Sequence, residues 1–496
     1  MRVIPTSLAR VLASRSFMAT VEGPALVPPL ASRRVYTNRT LNLGGIAAVG
    51  FDMDYTLVHY RVDEWERAAF GHARARLAAR GWPVDAIEFS PSAFTLGLVI
   101  DRELGNVVKA NRFGFVRRAA HGTRMLGFEE QRDAYSRVIV DLAEPRWYFM
   151  NTLFSLSEAC LFASLVDLVD AGRLPAGVGY DEAFRAVKTS LDAAHLEGEL
   201  KQEISREPER FVVLDGEAPL ALLDLKNAGK TLLVITNSEW SYLNSMMSHC
   251  FDRYSGGSWR RLFDVVIVQA RKPDFFTGNA PIFEIADESG LLRPSRGPLR
   301  PGGAYLGGNA RLVEQLVGLP GESILYVGDH IYADVHVTKS LLRWRTALIL
   351  RELEDEIAAV EAFRGKQAEL DRLMGEKERL EWEYDELRIG LVRAEKGYGP
   401  SPSVPAQSVR RRMNELRRSL DALDEQVGPL SREASELVNQ RWGPPMRAGN
   451  DKSHLARQVE RYADVYTSRV ANLLHATPFG YLRSPRGSMP HDARSY

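Results

Sequence analysis

The sequence predicts an α/β fold built on a parallel, doubly wound sheet, and two features of the chain indicate it. Short apolar runs rich in β-branched residues are typical of strands that are buried on both faces. Helical stretches such as residues 310–319 separate the later runs, which is the βα alternation of a parallel sheet. The predicted strands are residues 46–52, 232–236, 265–268, 324–327 and 347–350.

A long insertion separates the first two predicted strands. About 180 residues lie between them, and a single crossover between parallel strands needs far fewer. Residues 61–211 are therefore predicted to form an inserted, mostly helical cap domain, with helices over 147–171 and 181–203. Ligands of open parallel sheets bind beyond the carboxyl ends of the strands. A domain inserted there would act as a lid over the site.

The chain changes character after the last predicted strand. Apolar residues from Val409 to Leu437 alternate spacings of four and three, which is a heptad pattern, and a rougher pattern runs from Leu353 to Leu391. The glycines and prolines of residues 397–405 break any helix between them. This predicts an antiparallel helical hairpin that packs on its own chain or pairs between subunits. The predicted organisation is an extension (1–33), an α/β core (34–60 and 212–351), the cap (61–211), the hairpin (352–438) and a C-terminal segment packing on the core (439–496). A helix is expected near 455–474.

Composition narrows the class of protein. Lys plus Arg and Asp plus Glu number 64 each, so bulk charge argues against a nucleic-acid partner. No apolar run approaches the roughly 18 to 20 residues that span a membrane. Cys160 and Cys250 are too few for a disulfide framework, which indicates a reducing compartment. We expect a cytoplasmic protein. The first 20 residues resemble a transit peptide in composition, and a disordered extension or a start at Met18 is the favoured alternative.

The strongest chemical signal is the segment FDMDYT at residues 51–56. Asp52 and Asp54 follow a buried strand and would lie on one side of it if it continued, so they can converge on one phosphoryl group. One carboxylate would attack phosphorus and become an aspartyl phosphate. The other would protonate the leaving oxygen and then deprotonate the attacking water. A surface turn with the same pattern is the alternative, but such a turn seldom follows an apolar run.

Two further segments suit a phosphate group. Thr236, Asn237 and Ser238 end the second predicted strand, where hydroxyl and main-chain N–H groups can hold phosphate oxygens. Lys272 follows the third strand and would offset the negative charge around the phosphate and the attacking carboxylate. Each segment is ordinary by itself, and their order along successive strands is what predicts a site.

Acidic residues follow the fourth predicted strand. Asp329 and Asp334 offer oxygen ligands, which a hard cation such as Mg²⁺ prefers. Asp329 is the better candidate for direct ligation, and Asp334 for orienting the site. The sequence therefore predicts Mg²⁺ as the cofactor.

The four motifs in this order resemble those of the haloacid dehalogenase superfamily, and the wider sequence is similar to the cytosolic purine 5′-nucleotidase family. The likeness runs from about residue 34 to 490. It implies a haloacid-dehalogenase-type, Rossmann-like parallel sheet core and Mg²⁺-dependent hydrolysis of inosine and guanosine monophosphates. The segments that carry it are FDMDYTLVHY, GLVIDRELGNVVKANRFG, NTLFSLSEA, ITNS, ARKPDFF, GDHIYADV and RYADVY.

The resemblance also implies residue roles in the core. Asp52 would be the nucleophile and Asp54 the acid/base. Mg²⁺ would be held by Asp52, the main-chain carbonyl of Asp54 and Asp329, with Asp334 in support. The implied phosphate contacts are Thr236, Asn237, Ser238 and Lys272.

In the cap, the resemblance implies that the base stacks on Phe154 and that base or sugar is contacted by Asp192, His195 and Lys201. Two positions depart from the family. Ser155 stands where the family has asparagine, and Lys188 falls where it has an arginine that contacts the base. Arginine presents a planar fork to a purine edge, whereas lysine presents one mobile point charge. Base preference is therefore left open.

Three functions are compatible with these observations. The first is a 5′-nucleotidase whose substrate is a nucleoside monophosphate and whose aspartyl phosphate can also pass to another nucleoside. The second is a phosphatase for another phosphorylated metabolite. The third is a non-catalytic interaction protein that works through its coiled-coil hairpin, although the intact Asp52, Asp54, Lys272 and Asp329 speak against it. We expect a homo-oligomer.

Overall fold

A mostly parallel sheet of ten strands forms the centre of the fold. The computed structural model describes residues 29–152, 155–196, 198–295 and 297–487, so the predicted extension lies largely outside the described residues. The five predicted strands are confirmed, with ends shifted by at most two residues. In spatial order the strands are Tyr36–Thr37, Val465–Thr467, Arg345–Ile349, Ile324–Gly328, Ala48–Phe51, Thr231–Ile235, Val265–Val268, Gly303–Gly307, Ile282–Ile285 and Leu292–Pro294.

The middle of this sheet is parallel and buried. Neighbouring strands from Val465–Thr467 across to Gly303–Gly307 all run in the same direction, so their carboxyl ends share one edge. All four residues of Ala48–Phe51 are buried, as expected for a strand covered on both faces. The helices of this part of the chain are Ala218–Asn227, Trp240–Met247, Arg253–Ser255, Asp274–Thr277, Ala310–Val317, His454–Tyr462 and Leu473–Ala476.

The C-terminal segment contributes a strand that the sequence did not predict. The single helix expected near 455–474 is wrong, because the helix His454–Tyr462 ends before the strand Val465–Thr467. The buried carboxylate of Asp464 accepts hydrogen bonds from Arg345 Nε and Thr346 N, each at 3.0 Å. These contacts join residues more than 100 positions apart, and they favour an extended segment where local helical pattern suggested a helix.

The two ends of the inserted region lie side by side. His59–Tyr60 pairs antiparallel with Val212–Val213, and Arg61 N donates to Phe211 O at 2.6 Å. The chain therefore leaves the core and returns to it at one place, as a domain inserted into a loop must.

The inserted region contains an antiparallel sheet that the prediction of a mostly helical cap omitted. Its strands are short, and their alternation is weak in the sequence, so the helical segments dominated the pattern. In spatial order they are Arg124–Met125, Val116–His121, Asn106–Ala110, Val99–Asp101 and Trp147–Phe149. The helices are Val62–Ala79, Phe128–Tyr135, Leu156–Asp170, Tyr180–Leu196, Glu199–Arg206 and Pro208–Phe211.

Both helices predicted in the cap differ from the observed ones. The segment expected to be helical over 147–171 begins as the edge strand Trp147–Phe149, and its helix is Leu156–Asp170. The segment expected over 181–203 is divided into Tyr180–Leu196 and Glu199–Arg206. Gly198 between them has a φ of 80°, a left-handed conformation that glycine adopts without strain and that ends a helix.

The predicted hairpin is present as two long helices, Leu353–Lys396 and Ala406–Glu436, and residues 355–444 form a compact unit of their own. The ion pairs Lys377–Asp424 and Arg412–Glu383 show that the helices run antiparallel within one chain. The buried apolar residues between the two helices are Leu370, Leu373, Leu380, Leu416, Leu423 and Val427. Pairing between subunits stays a prediction.

Among the described residues, no helix combines the length and apolar character that a membrane span requires.

Candidate active site

Asp52 stands at the carboxyl end of the central strand Ala48–Phe51, on a tight loop. The N–H groups of Leu57 and Val58 both donate to Met53 O at 2.9 Å, which closes the loop. Met53 N donates to Asp52 Oδ1 at 2.8 Å, and Lys272 Nζ lies 2.9 Å from Asp52 Oδ2. The side chain of Asp52 is 13% exposed, enough for a substrate to reach it. Burial raises its pKa, and the ammonium of Lys272 opposes that rise.

Lys272 is held by partners on three sides. Its Nζ lies 2.9 Å from Asp52, 2.7 Å from Asp334 and 3.1 Å from the hydroxyl of Tyr326. Burial would lower the pKa of Lys272, but the two carboxylates raise it well above its ordinary value. An ammonium has three hydrogens, so each has an acceptor here. A phosphate that binds beside Asp52 must share one of them.

The side chain of Asn237 forms two hydrogen bonds with the main chain of Lys272. Its Nδ2 donates to Lys272 O at 3.1 Å, and Lys272 N donates to its Oδ1 at 2.6 Å. Ser238 N donates to Thr236 Oγ1 at 3.1 Å, so the hydroxyl of Thr236 orders its own segment, residues 236–238. The segment after the second predicted strand is thereby joined to the one after the third.

Three carboxylates gather beside Lys272. One oxygen each of Asp52, Asp329 and Asp334 lies within 4.8 Å of the others. Burial and the neighbouring Asp334 and Asp52 raise the pKa of Asp329 well above its usual range. One ammonium cannot balance three carboxylates, and an all-oxygen donor set suits a hard divalent cation. These residues therefore fit Mg²⁺.

The space for Asp334 depends on a glycine. A Cβ at position 328 would lie 2.4 Å from Oδ2 of Asp334, so a side chain there would displace this carboxylate. His330 N also donates to Asp334 Oδ2, at 3.1 Å. Asp334 is thus fixed against the strand end and paired with Lys272, and its orienting role stays a prediction.

Asp54 lies in the same loop but in a separate hydrogen-bond network. Tyr60 donates to its Oδ1 at 2.5 Å, and Ser238 Oγ donates to its Oδ2 at 2.6 Å. Burial raises the pKa of Asp54, while Lys201 and the two hydroxyl donors lower it. Lys201 Nζ donates to Ser238 Oγ at 3.1 Å, so a cap helix reaches this part of the site.

The remaining cap residues form a charged cluster. Lys188 Nζ lies 3.2 Å from Asp192 and 5.7 Å from the ring centre of Tyr148. Burial would lower the pKa of Lys188, but Glu158, Tyr148 and Asp192 raise it above its ordinary value. Burial raises the pKa of Glu158 to about 7. Ser155 is buried just before the helix Leu156–Asp170.

The predicted site residues of the core lie together, whereas two of those in the cap are not described in full. Phe154 lies outside the described residues, and for His195 only its place in the helix Tyr180–Leu196 is described. Four further residues of the site were not predicted from the sequence: Tyr60, Tyr242, Tyr326 and Glu158. A tyrosine inside each motif segment was the available signal for Tyr60 and Tyr326, since FDMDYTLVHY and ILYVGD contain them. The predicted residues that the structure brings together at the carboxyl edge of the sheet are Asp52, Asp54, Thr236, Asn237, Ser238, Lys272, Asp329, Asp334 and Lys201.

Comparison with known proteins shows which proteins the chain resembles. The chain is similar to 5′-nucleotidase domain-containing protein 2 of Rattus norvegicus, at 28% identity over 94% of this chain and 82% of that protein. The human protein of the same name is 28% identical over 91% of this chain and 84% of its own length. Among solved structures, CbbY from Rhodobacter sphaeroides in complex with phosphate is 17% identical, covering 61% of this chain and 86% of that chain. Its TM-score of 0.22 is too low to establish a shared fold.

The family comparison covers nearly the whole chain. The model that describes the 5′ nucleotidase family matches residues 35–494, which include every predicted site residue of both core and cap. The chain belongs to the 5′ nucleotidase family.

Proposed function

We propose that the protein hydrolyses purine nucleoside 5′-monophosphates to nucleoside and phosphate through an aspartyl phosphate on Asp52. One observation carries this proposal. Asp52 Oδ2 lies 2.9 Å from the buried Lys272, while both carboxylate oxygens of Asp54, in the same loop, accept hydrogen bonds from hydroxyl groups. A nucleophile paired with a cation and an acid held nearby are the two groups that hydrolysis of a phosphate ester needs.

The steps follow from these positions. Asp52 attacks phosphorus as the bond to the leaving 5′ oxygen breaks, and Asp54 gives its proton to that oxygen. Asp54 then takes a proton from water, which attacks phosphorus and releases Asp52 and inorganic phosphate. Lys272 offsets the negative charge of the phosphoryl group throughout. Thr236, Asn237 and Ser238 line the loop that would receive the phosphate oxygens.

The proposed cofactor is Mg²⁺, held by Asp52, Asp329 and the main-chain carbonyl of Asp54. When bound it would supply positive charge to the phosphoryl oxygens and lessen the repulsion between Asp52 and the phosphate. Asp334 supports the site because it holds Lys272 at 2.7 Å.

Removal of divalent cations is expected to lower turnover by at least about a hundredfold, because three carboxylates and a phosphate dianion would repel one another. Adding Mg²⁺ should restore it. Independently of activity, Mg²⁺ should raise the melting temperature by on the order of a few degrees. The variant Asp329→Asn should lose most of this thermal response. Full activity in excess chelator would rule out the metal.

A panel of phosphorylated metabolites separates the functions that the sequence left open. Purine nucleoside monophosphates should be the best substrates, and addition of a nucleoside should divert part of the phosphoryl group to it. Preference for a sugar phosphate would favour a phosphatase of another metabolite. No turnover of any phosphate ester with Mg²⁺ would favour the interaction protein.

Base recognition by the cap can be tested at Phe154. If the base stacks on this residue, Phe154→Ala should raise the KM for nucleotides by about five- to a hundredfold, the value of one lost stacking contact. The KM for an aryl phosphate, which has no nucleobase or sugar, should stay within about twofold. Steady-state kinetics on both substrates provides the measurement. An equal effect on the two would mean that Phe154 serves packing alone.

A further inference from the structure

The first helix of the hairpin, Leu353–Lys396, carries a tryptophan on its outer side. Trp382 is 68% exposed, and it lies two residues beyond Leu380, one of the buried residues between the two helices. Two residues advance an α-helix by about 200°, so the side chain of Trp382 is directed away from the second helix. Packing within the hairpin therefore leaves this large apolar ring in contact with solvent.

A glycine lies about two turns before the tryptophan, on the same side of the helix. Gly375 is exposed and lies two residues beyond the buried Leu373. Glycine at an exposed position inside a helix is unfavourable compared with alanine. Among the described residues, a Cβ added at Gly375 would meet no atom within 4 Å, so packing within the chain does not require glycine there. An exposed gap and an exposed ring thus lie seven residues apart on one face.

Both residues belong to a row of six that recur at every seventh position, which we call the outer column. Residues buried between the two helices also recur at this spacing, so the column stays on the outer side along the helix. In chain order the column consists of an acid, two small residues, two large apolar residues and a base. All of them are exposed except the isoleucine, which is partly buried. They are Glu361, Ala368, Gly375, Trp382, Ile389 and Lys396.

We propose that the outer column is the surface on which a second copy of this chain binds, with the two long helices antiparallel. A twofold axis between positions 378 and 379 reverses the order of the column, so each acid meets a base and each small residue meets a large one. The ring of Trp382 then fills the space beside Gly375 of the second copy. This inference goes beyond the proposed function and does not depend on it. The contacts, each formed twice, are Glu361 with Lys396, Ala368 with Ile389, and Gly375 with Trp382.

A second copy fits this surface because the column is complementary to its own reverse, both in size and in charge. Residues on one flank add to this match, since the same axis brings Arg372 close to the level of Glu386. On the other flank, Asp371, Glu378 and Asp385 come to the levels of one another and repel, which limits the affinity. We therefore expect a dissociation constant on the order of 10 µM.

Sedimentation velocity of the full chain over a series of concentrations tests the contact itself. Trp382→Ala should raise the dissociation constant by at least about a hundredfold, because an interfacial tryptophan is a typical hot spot and each dimer loses two. Gly375→Gln should weaken association as strongly, because its side chain occupies the space that the ring needs. Glutamine favours a helix more than glycine does, so this variant should keep or raise the melting temperature.

Phe128 provides the matched control. It is an aromatic residue outside the hairpin and is 77% exposed. Phe128→Ala should change the dissociation constant by less than about twofold, as expected for a surface residue away from the contact.

The antiparallel direction is tested by exchange of charge. Glu361→Lys and Lys396→Glu should each raise the dissociation constant by about five- to thirtyfold, because each creates two pairs of like charge. A mixture of the two variants should form a heterodimer that is tighter than either homodimer, since each lysine then faces a glutamate. In a parallel pair, position 361 would face position 361, and Glu361→Lys would exchange one repulsion for another.

Cross-linking provides a measurement that is independent of affinity. The chain's own Cys160 and Cys250 are buried, so an introduced surface thiol reacts preferentially with a short bis-maleimide. The double variant with Ala368→Cys and Ile389→Cys should give a covalent dimer. Ala368→Cys alone should not, because the axis separates its two copies by 21 residues of helix, about 30 Å.

A protein that remains monomeric up to about 100 µM, ten times the expected dissociation constant, would overturn the proposal. Association that Trp382→Ala leaves unchanged would do so as well. Cross-linking of the single thiol variant as readily as the double variant would refute the antiparallel arrangement. None of these results bears on hydrolysis of phosphate esters, and a protein without that activity would still test the contact in full.

Discussion

Replacement of Asp52 by asparagine is expected to abolish turnover, with a fall in kcat of more than about a thousandfold. The amide has nearly the same shape, and its single oxygen can keep the hydrogen bond from Met53 N, so the loop should persist, although its NH2 group cannot accept from Lys272. What is lost is the nucleophile, because an amide oxygen cannot form the acyl phosphate. The rate of phosphate release measures the effect, and acid-quenched wild-type protein incubated with labelled substrate should retain covalent phosphate that the variant lacks.

Asp264 provides the matched control for Asp52. It lies at the opposite end of the sheet, where its carboxylate accepts from Lys226 Nζ at 3.0 Å and Leu232 N at 2.8 Å. Asp264→Asn should lower the melting temperature and leave kcat near the wild-type value. If Asp52→Asn kept even a tenth of wild-type activity, covalent catalysis through Asp52 would be wrong.

The core could be predicted because its signals are local. Each apolar strand directly precedes the residues that it presents, so strand and chemistry are found together in FDMDYT and in ILYVGD. Parallel pairing then brings these strand ends to one edge, as Ala48–Phe51 with Ile324–Gly328 illustrates. The carboxylates Asp52, Asp329 and Asp334 could thus be placed in one site from their positions in the chain.

The features that escaped prediction depend on partners distant in sequence. The strand Val465–Thr467 is stabilised by pairing with Arg345–Ile349, and no local pattern marks it. Tyr60 and Tyr242 are 182 positions apart, and neither position alone indicates that their hydroxyl groups form a hydrogen bond. Glu158 and Lys188 come from different helices, so the charge cluster of the cap emerges only in the fold.

Lys272→Met is expected to remove activity and also to destabilise the protein. The variant leaves Asp52 and Asp334 without the ammonium that lies within 3 Å of both, and breaking a buried ion pair in this way costs about 3–5 kcal/mol. The loss in kcat/KM should be at least about a hundredfold, because this cation also stabilises the charge that develops on the phosphoryl group. Thermal unfolding and steady-state kinetics measure the two effects.

Lys230 provides a control that distinguishes a loss of stability from a loss of activity. Its Nζ is buried as well and donates to Leu43 O at 2.6 Å and Ile46 O at 2.7 Å, at the other end of the same sheet. Lys230→Met should therefore lower stability with little change in kcat/KM below the melting temperature. Mg²⁺ should raise the melting temperature of Lys272→Met more than that of the wild type, since a divalent cation takes over part of the lost charge balance among Asp52, Asp329 and Asp334. Equal losses of activity in the two methionine variants would mean that Lys272 supports the fold and not the reaction.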